Sequence, residues 1–283
     1  MSPLIRFWQR LPVIVRAVLS GSLVAMLGNL PWGILAYANL KLTPRVPWSV
    51  PLMIFYLWFF WQYLSGRKLS RPSAEIRSKY LRALPPSGRV WCWSLLSGSC
   101  ALISLGAMKK VVEQLIKFPP SQHLDVSQFP SYTVFSLLFM GAAVAGIVEE
   151  AAFRGYMQVP IERRHGLFVA IIVVGIVFGL AHFTHSWMSL GLLPMYLVIS
   201  AVYGVLANLT GSILPGVILH SVGNTLQDIL NLLQGTPIAP PTTVWEVGTN
   251  LRFWLNCLLT VLFGILTIIA YRKLLVVVQP TTK

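Results

Sequence analysis

Long apolar segments constrain this chain more than any other feature. Eight of them, at about 13–38, 48–64, 90–108, 131–159, 167–185, 192–208, 212–233 and 252–271, are each long enough to cross a hydrocarbon core of roughly 30 Å as a helix. In lipid the backbone N–H and C=O groups must be paired within the structure, and helices of this length achieve that by themselves. A soluble domain would need far more surface charge than the 11% charged residues found here against 55% hydrophobic ones. The expected fold is all-α: a single polytopic membrane domain over residues 1–283, with about eight transmembrane helices enclosing a polar cavity.

The net charge of +14 raises the question of nucleic acid, but the basic residues gather at segment ends and not along one face, so membrane topology accounts for them and no nucleic-acid partner is expected. With both termini in the cytoplasm, the inner side holds Arg6, Arg10, the connection 66–89 with its seven basic residues, Arg163, Arg164, Arg272, Lys273 and Lys283. The outer side keeps Lys41, Arg45, Lys109, Lys110, Lys117 and Arg252, the asymmetry that the positive-inside rule describes. That reading places the chain in a membrane as a multi-pass protein, with the cell membrane as the expected location. Cys92, Cys100 and Cys257 fall in apolar segments without metal-ligand spacing and read as buried thiols. No small-residue cleavage site follows the first apolar run, so no cleavable signal is expected.

Within the fourth segment, fourteen apolar or small residues between Val134 and Val148, interrupted only by Ser136, run into Glu149-Glu150 and then Arg154. Two of the chain's eight acidic residues thus lie side by side at membrane depth, where a carboxylate is costly and marks a functional site by default. On a helix Glu150 and Arg154 share a face, while Glu149 lies about 100° away above Phe153. The arginine can therefore hold one carboxylate and leave the other for chemistry. Proline at 160 is expected to stop this helix, and Arg163, Arg164 and His165 to form a tight turn.

Two further polar groupings interrupt apolar segments downstream: Phe178-x-x-x-His182 and His220-x-x-x-Asn224. A carboxylate base, two imidazoles and an amide are the equipment for activating water and stabilising an oxyanion. Each group also has a plainer reading. Glu150 and Arg154 can form a helix-holding ion pair, a lone His182 is commonly a satisfied core histidine, and His220 with Asn224 can make interhelical hydrogen bonds. His185 reads as interfacial. Glu149, His182 and His220 could instead ligate a metal, although no H-E-x-x-H is present. Depths counted from the inner segment ends, at Pro160, Ser212 and Leu167, put Glu149 at about 16 Å, His220 at about 12 Å and His182 at about 23 Å, and the last does not match. Gly204, Gly211, Gly216 and Gly223 are expected to let helices approach closely.

The three motifs in this order, Glu149-Glu150-x-x-x-Arg154, Phe178-x-x-x-His182 and His220-x-x-x-Asn224, resemble the CPBP intramembrane protease family, also called the Abi or CAAX-protease family, which includes Rce1-type endopeptidases. The resemblance covers about 131–233. It implies a helical bundle with a conical cavity open to the cytoplasm and to lipid. It also implies a glutamate-dependent mechanism without metal or other cofactor. In it Glu149 and His182 activate water, His220 and Asn224 donate to the oxyanion, Glu150 and Arg154 hold the geometry, and Phe178 packs against the site. The function so implied is hydrolysis of a peptide bond in a membrane-associated protein or peptide near the cytoplasmic face. The alternatives are a non-catalytic membrane scaffold or a bacteriocin-immunity-type partner. A proton-coupled transporter would call for matched halves or matched broken helices, and the sequence has neither.

Overall fold

The computed structural model describes residues 3–69, 71–117, 126, 128–182, 192–234 and 242–279. In chain order the helices are α1 (Pro3–Arg10), α2 (Val13–Leu42), α3 (Ser49–Leu64), α4 (Ala74–Leu81), α5 (Gly88–Leu115), α6 (Ser131–Glu149), a π-helical segment (Glu150–Met157), α7 (Gln158–His165), α8 (Leu167–Ala181), α9 (Leu193–Thr210), α10 (Leu214–Gln234), α11 (Val244–Val247) and α12 (Leu251–Val278). Among the described residues there is no strand. Five rods are long and apolar enough to cross a membrane: Val13–Leu42, Gly88–Leu115, Ser131–His165, Leu193–Thr210 and Leu251–Val278. The apolar helices α3 and α8 are shorter, at 16 and 15 residues. The chain is an all-α, multi-pass membrane protein, and length and composition mark five crossings among the eight apolar segments.

The outer surface fits a bilayer. Along the 28 residues of α12 only Phe253, Ala270 and Leu274 are buried, and Trp254, Leu258, Ile268 and Val276 stand exposed. An apolar face of that extent needs lipid around it. The same fact corrects the reading of the cysteines. Cys100 is buried, but Cys92 is exposed and Cys257 only half-buried, because in lipid an apolar segment need not turn its side chains inward.

At the centre lies the rod formed by α6, the π segment and α7. Every residue from Glu150 to Met157 is buried, packed by Ala17 and Val24 of α2, Leu64 of α3, Leu81 of α4, Ala170, Val174 and Phe178 of α8, and Ala207 of α9. Small residues permit this density. A Cβ on Gly28 of α2 would fall 2.3 Å from Val148, and one on Gly146 would fall 2.1 Å from Ser221 Oγ and 2.9 Å from the Val217 carbonyl of α10. Of the four glycines expected at close approaches, Gly204 and Gly216 face Gln158 and Glu150, whereas Gly223 has ordinary clearance. Gly211 instead supplies the left-handed turn (φ 62°) that ends α9.

Pro160 does not end the rod. Helix continues to His165, and the turn is made by Gly166 alone, at φ 85°. A proline ring collides with the carbonyl four residues back in a regular α-helix. Here the preceding residues are wound as a π-helix, with Gln158 N–H directed at the carbonyls of Phe153 and Gly155, so the carbonyl register ahead of Pro160 is not that of an α-helix. Arg163, Arg164 and His165 form the last turn of α7, where positive charge complements the helix dipole. The depth mismatch has the same origin. Counted from His165, Glu149 lies sixteen residues up, about 24 Å, and His182, at the end of α8, lies fifteen residues above Leu167, about 22 Å. His185 lies outside the described residues.

The basic connection is itself folded. Arg77 is buried, donates to the carbonyls of Tyr63, Lys68 and Leu69 and lies over the Tyr63 ring. Arg82 donates to Glu162 Oε2 at 2.7 Å and to the Ala207 carbonyl, and its own carbonyl accepts from Ile213 N–H at 3.0 Å. The start of α10 is thereby held up inside the bundle against α4, which is why a depth counted from residue 212 underestimates that of His220.

Candidate active site

Three elements bring the polar groups together. The end of α6 and the π segment carry Glu149, Glu150 and Arg154, the C-terminus of α8 carries His182, and α10 carries His220 and Asn224. Glu149 Oε2 lies 3.9 Å from His182 Nε2 and 3.8 Å from His220 Nε2. It is buried and has no hydrogen-bond partner among the described residues. His220 Nδ1 lies 2.9 Å from Glu150 Oε1. Exposure is graded: the side chains of Glu150 and Arg154 are 0% accessible, that of Glu149 is 13% and that of His182 is 34%.

Partner chemistry fixes the ring protons. His182 Nδ1 lies 2.8 Å from the Phe178 carbonyl, which can only accept, so Nδ1 carries a hydrogen, and in the neutral ring Nε2 presents a lone pair. The spacing Phe178-x-x-x-His182 brings this about: the Phe178 carbonyl accepts from the His182 backbone N–H at 3.3 Å, and its second lone pair is left for the ring of the same residue. His220 Nδ1 likewise donates to the Glu150 carboxylate, and its Nε2 also presents a lone pair. Two lone pairs and the Glu149 carboxylate oxygen therefore converge, three acceptors with no donor of their own. Separations of 3.8 and 3.9 Å are too long for direct hydrogen bonds and short of two such bonds laid end to end. A water lying to the side of either line can bridge Glu149 to that imidazole.

Arg154 Nη1 approaches Glu150 Oε1 at 3.2 Å, yet none of the guanidinium nitrogens is aligned for a hydrogen bond among the described residues. The contact is one of charge, and two rings secure it: the guanidinium carbon lies 4.8 Å from the Phe178 centroid and 5.0 Å from that of Tyr203. Phe178 also stands edge-on to Phe153 at 5.1 Å and leans on His182 at 4.4 Å. Gly216 makes room for the carboxylate, since a Cβ there would sit 2.8 Å from Glu150 Oε2. Asn224 lies one turn beyond His220 on α10 and is half-buried.

A metal fits this group poorly. Among the described residues no three His, Cys, Asp or Glu side chains come together as a metal would need. Donors about 2.0–2.2 Å from a tetrahedral zinc would approach one another more closely than the 3.8 and 3.9 Å found between Glu149 and the two imidazoles.

Sequence reasoning missed the part that α9 plays at the site. Tyr196 stacks on His182 with centroids 5.1 Å apart and planes at 28°. Tyr203 stacks on His220 at 5.4 Å and 18°. The signal was present as two tyrosines seven residues apart in one apolar helix, a spacing of two turns that returns both to the same face.

Residues 130–226 match the family described as type II CAAX prenyl endopeptidase Rce1-like, the group whose motifs the sequence resembles. The match spans α6 through most of α10 and includes every residue placed at the site. No curated protein and no solved structure matches the chain.

Proposed function

We propose, from the match of residues 130–226 to the Rce1-like family, that the chain is an intramembrane endopeptidase acting on a membrane-associated protein or peptide, with Glu149 as its base. The observation that carries this reading is the approach of both imidazole Nε2 atoms to one oxygen of Glu149, in a helix otherwise apolar for four turns. A water there donates its protons to Glu149 and to one imidazole, which directs its oxygen lone pair outward at a substrate carbonyl. Attack forms the C–O bond, and the proton drawn from water passes to the leaving nitrogen as the C–N bond breaks. The products are an acid and an amine. The chemistry uses no metal or other cofactor.

Glu150 does more than buttress. It holds His220 with Nδ1–H toward itself, as the carboxylate of a catalytic triad orients its histidine. For His220 Nε2 to donate to the oxyanion it must first take up the proton drawn from water, relayed through Glu149, and the ionised Glu150 behind it stabilises the imidazolium until that proton passes to the leaving nitrogen. Asn224, one turn away, supplies a neutral second donor. The basic ends of α4 and α7 support an orientation with both termini in the cytoplasm, and the substrate bond enters the site from the lipid.

The test compares membrane peptides from cells carrying wild type or Glu149→Gln, at matched protein levels. One or more membrane proteins should persist uncleaved in the variant alone, and purified wild type should cleave them with chelator present. Identical peptide sets would end the hydrolytic reading, and loss of cleavage on chelation would end the metal-free one.

A further inference from the structure

Each imidazole at this site is constrained twice, and the second constraint comes from one helix that bears none of the three motifs. A hydrogen bond at Nδ1, to the Phe178 carbonyl for His182 and to Glu150 for His220, fixes one ring atom but leaves the ring free to rock about that bond. Rocking swings Nε2 away from Glu149. The faces of Tyr196 and Tyr203 oppose it, at 5.1 Å and 28° for His182 and 5.4 Å and 18° for His220. Being seven residues apart, the tyrosines project from the same side of α9, about 10 Å apart along its axis, one beside each imidazole.

Neither tyrosine stands alone. Tyr196 lies edge-on to Phe178 at 6.1 Å, and Phe178 leans on His182. Tyr203 is 3% exposed and takes the Arg154 guanidinium over its ring, the same arginine that holds Glu150. The side chains that orient the rings are thereby fixed by the groups that set the ring protons.

We propose that Tyr196 and Tyr203 are positioning residues that set the planes of His182 and His220, so that both Nε2 atoms face Glu149. The proposal rests on the endopeptidase reading for its consequence, though not for its geometry. What each position requires is a flat ring and not a hydroxyl. Leucine at either should release the neighbouring imidazole and leave the other in place, and phenylalanine should preserve both.

The experiment uses the full chain in lipid nanodiscs, with histidine ring nitrogens labelled with 15N, for wild type and for leucine and phenylalanine at each tyrosine. In wild type His182 and His220 should each give the Nδ1–H tautomer. Tyr196→Leu should broaden or mix the tautomers of His182 only, Tyr203→Leu those of His220 only, and both phenylalanine variants should match wild type. A prenylated peptide ending in a CAAX sequence serves as the activity probe. Each leucine variant should lower kcat about tenfold, the scale of a misaligned proton-transfer group, with KM unchanged, and phenylalanine should restore it. Should a leucine variant fail to insert, methionine replaces it. Unchanged imidazole signals in the leucine variants, equal disturbance of both rings by either one, or phenylalanine variants that behave like leucine would each overturn the proposal. A probe uncleaved by wild type would count against the endopeptidase reading and leave the ring signals to decide this one.

Discussion

Glu149 and Glu150 are chemically identical neighbours given opposite duties by what stands beside them. Glu150 is sealed against Arg154 and His220, while Glu149 stays partly accessible and meets the two imidazoles only at 3.8 and 3.9 Å. The division depends on a residue with no side chain. A Cβ at Gly216 would fall 2.8 Å from Glu150 Oε2 and 3.3 Å from its Cδ, so Gly216→Ala must push the carboxylate toward His220 or push α10 away. Overpacking of this kind costs about 1–3 kcal/mol. A displacement near 1 Å at a catalytic orienter lowers turnover on the order of a hundredfold. Thermal unfolding of the purified variant should show a folded, modestly weakened protein, and turnover should show the larger loss; unaltered turnover would contradict the role given to Glu150. The identity of these groups was legible in the sequence because charge inside an apolar helix is so costly. Their division of labour was legible only as far as helical spacing reached. Tyr196 and Tyr203 were not, since an aromatic residue in an apolar helix carries no sign of what it stacks upon.

Elements were readable in number and order because apolar length is a strong signal, but their ends and irregularities follow from contacts that the linear sequence does not display. Pro160 shows this from one side: read alone it stops a helix, yet the π-wound residues before it carry the rod on to His165. Pro31 shows it from the other. Helix α2 runs unbroken through Pro31, although the proline cannot donate to the Leu27 carbonyl four residues back. That orphaned carbonyl is taken by the Tyr56 hydroxyl of α3 at 2.7 Å, so a break in one helix's hydrogen bonding becomes a tie to the next. The expected consequence is a thermodynamic coupling. Tyr56→Phe should destabilise the protein by about 0.6–1 kcal/mol, the usual worth of such a bond in a membrane protein. In a Pro31→Ala background, where residue 31 regains its N–H, the same substitution should cost clearly less. Unfolding in mixed micelles across the four proteins measures the difference, and additive effects would show that the hydroxyl does not serve the proline's vacancy.

At the scale of the whole molecule, the connection 66–89 was read as a charge that orients the chain, and two of its arginines turn out to be tied into the fold. Arg77 gathers the chain around residues 63–73. Arg82 joins four helices at once. It pairs with Glu162 of α7 at side-chain exposures of 10% and 18%, donates to Ala207 of α9, and accepts from Ile213 at the foot of α10. Asn208 and Gln158 donate to the same Glu162 carboxylate at 2.9 and 3.0 Å. Glu162 lies three turns below Glu150 on the rod that carries the site, so this cluster sets how that rod meets α9, which bears the two tyrosines, and α10, which bears His220. Removing the arginine strands a largely buried carboxylate, and Arg82→Met should therefore cost about 2–3 kcal/mol, below the 3–5 typical of a fully buried pair because its edge meets solvent. Glu162→Gln, which leaves Arg82 its bond to the Ala207 carbonyl and keeps an amide oxygen for Asn208, should cost less than Arg82→Met. Combining the two should recover part of the loss, because neither charge is then left without its counterpart. The order of unfolding midpoints, wild type above Glu162→Gln, then the double variant, then Arg82→Met, is the signature of a pair whose main energetic content is the penalty for breaking it. Strictly additive losses would instead mean that Arg82 acts through its backbone contacts to α9 and α10, and that the charge on Glu162 is incidental to the way the bundle closes.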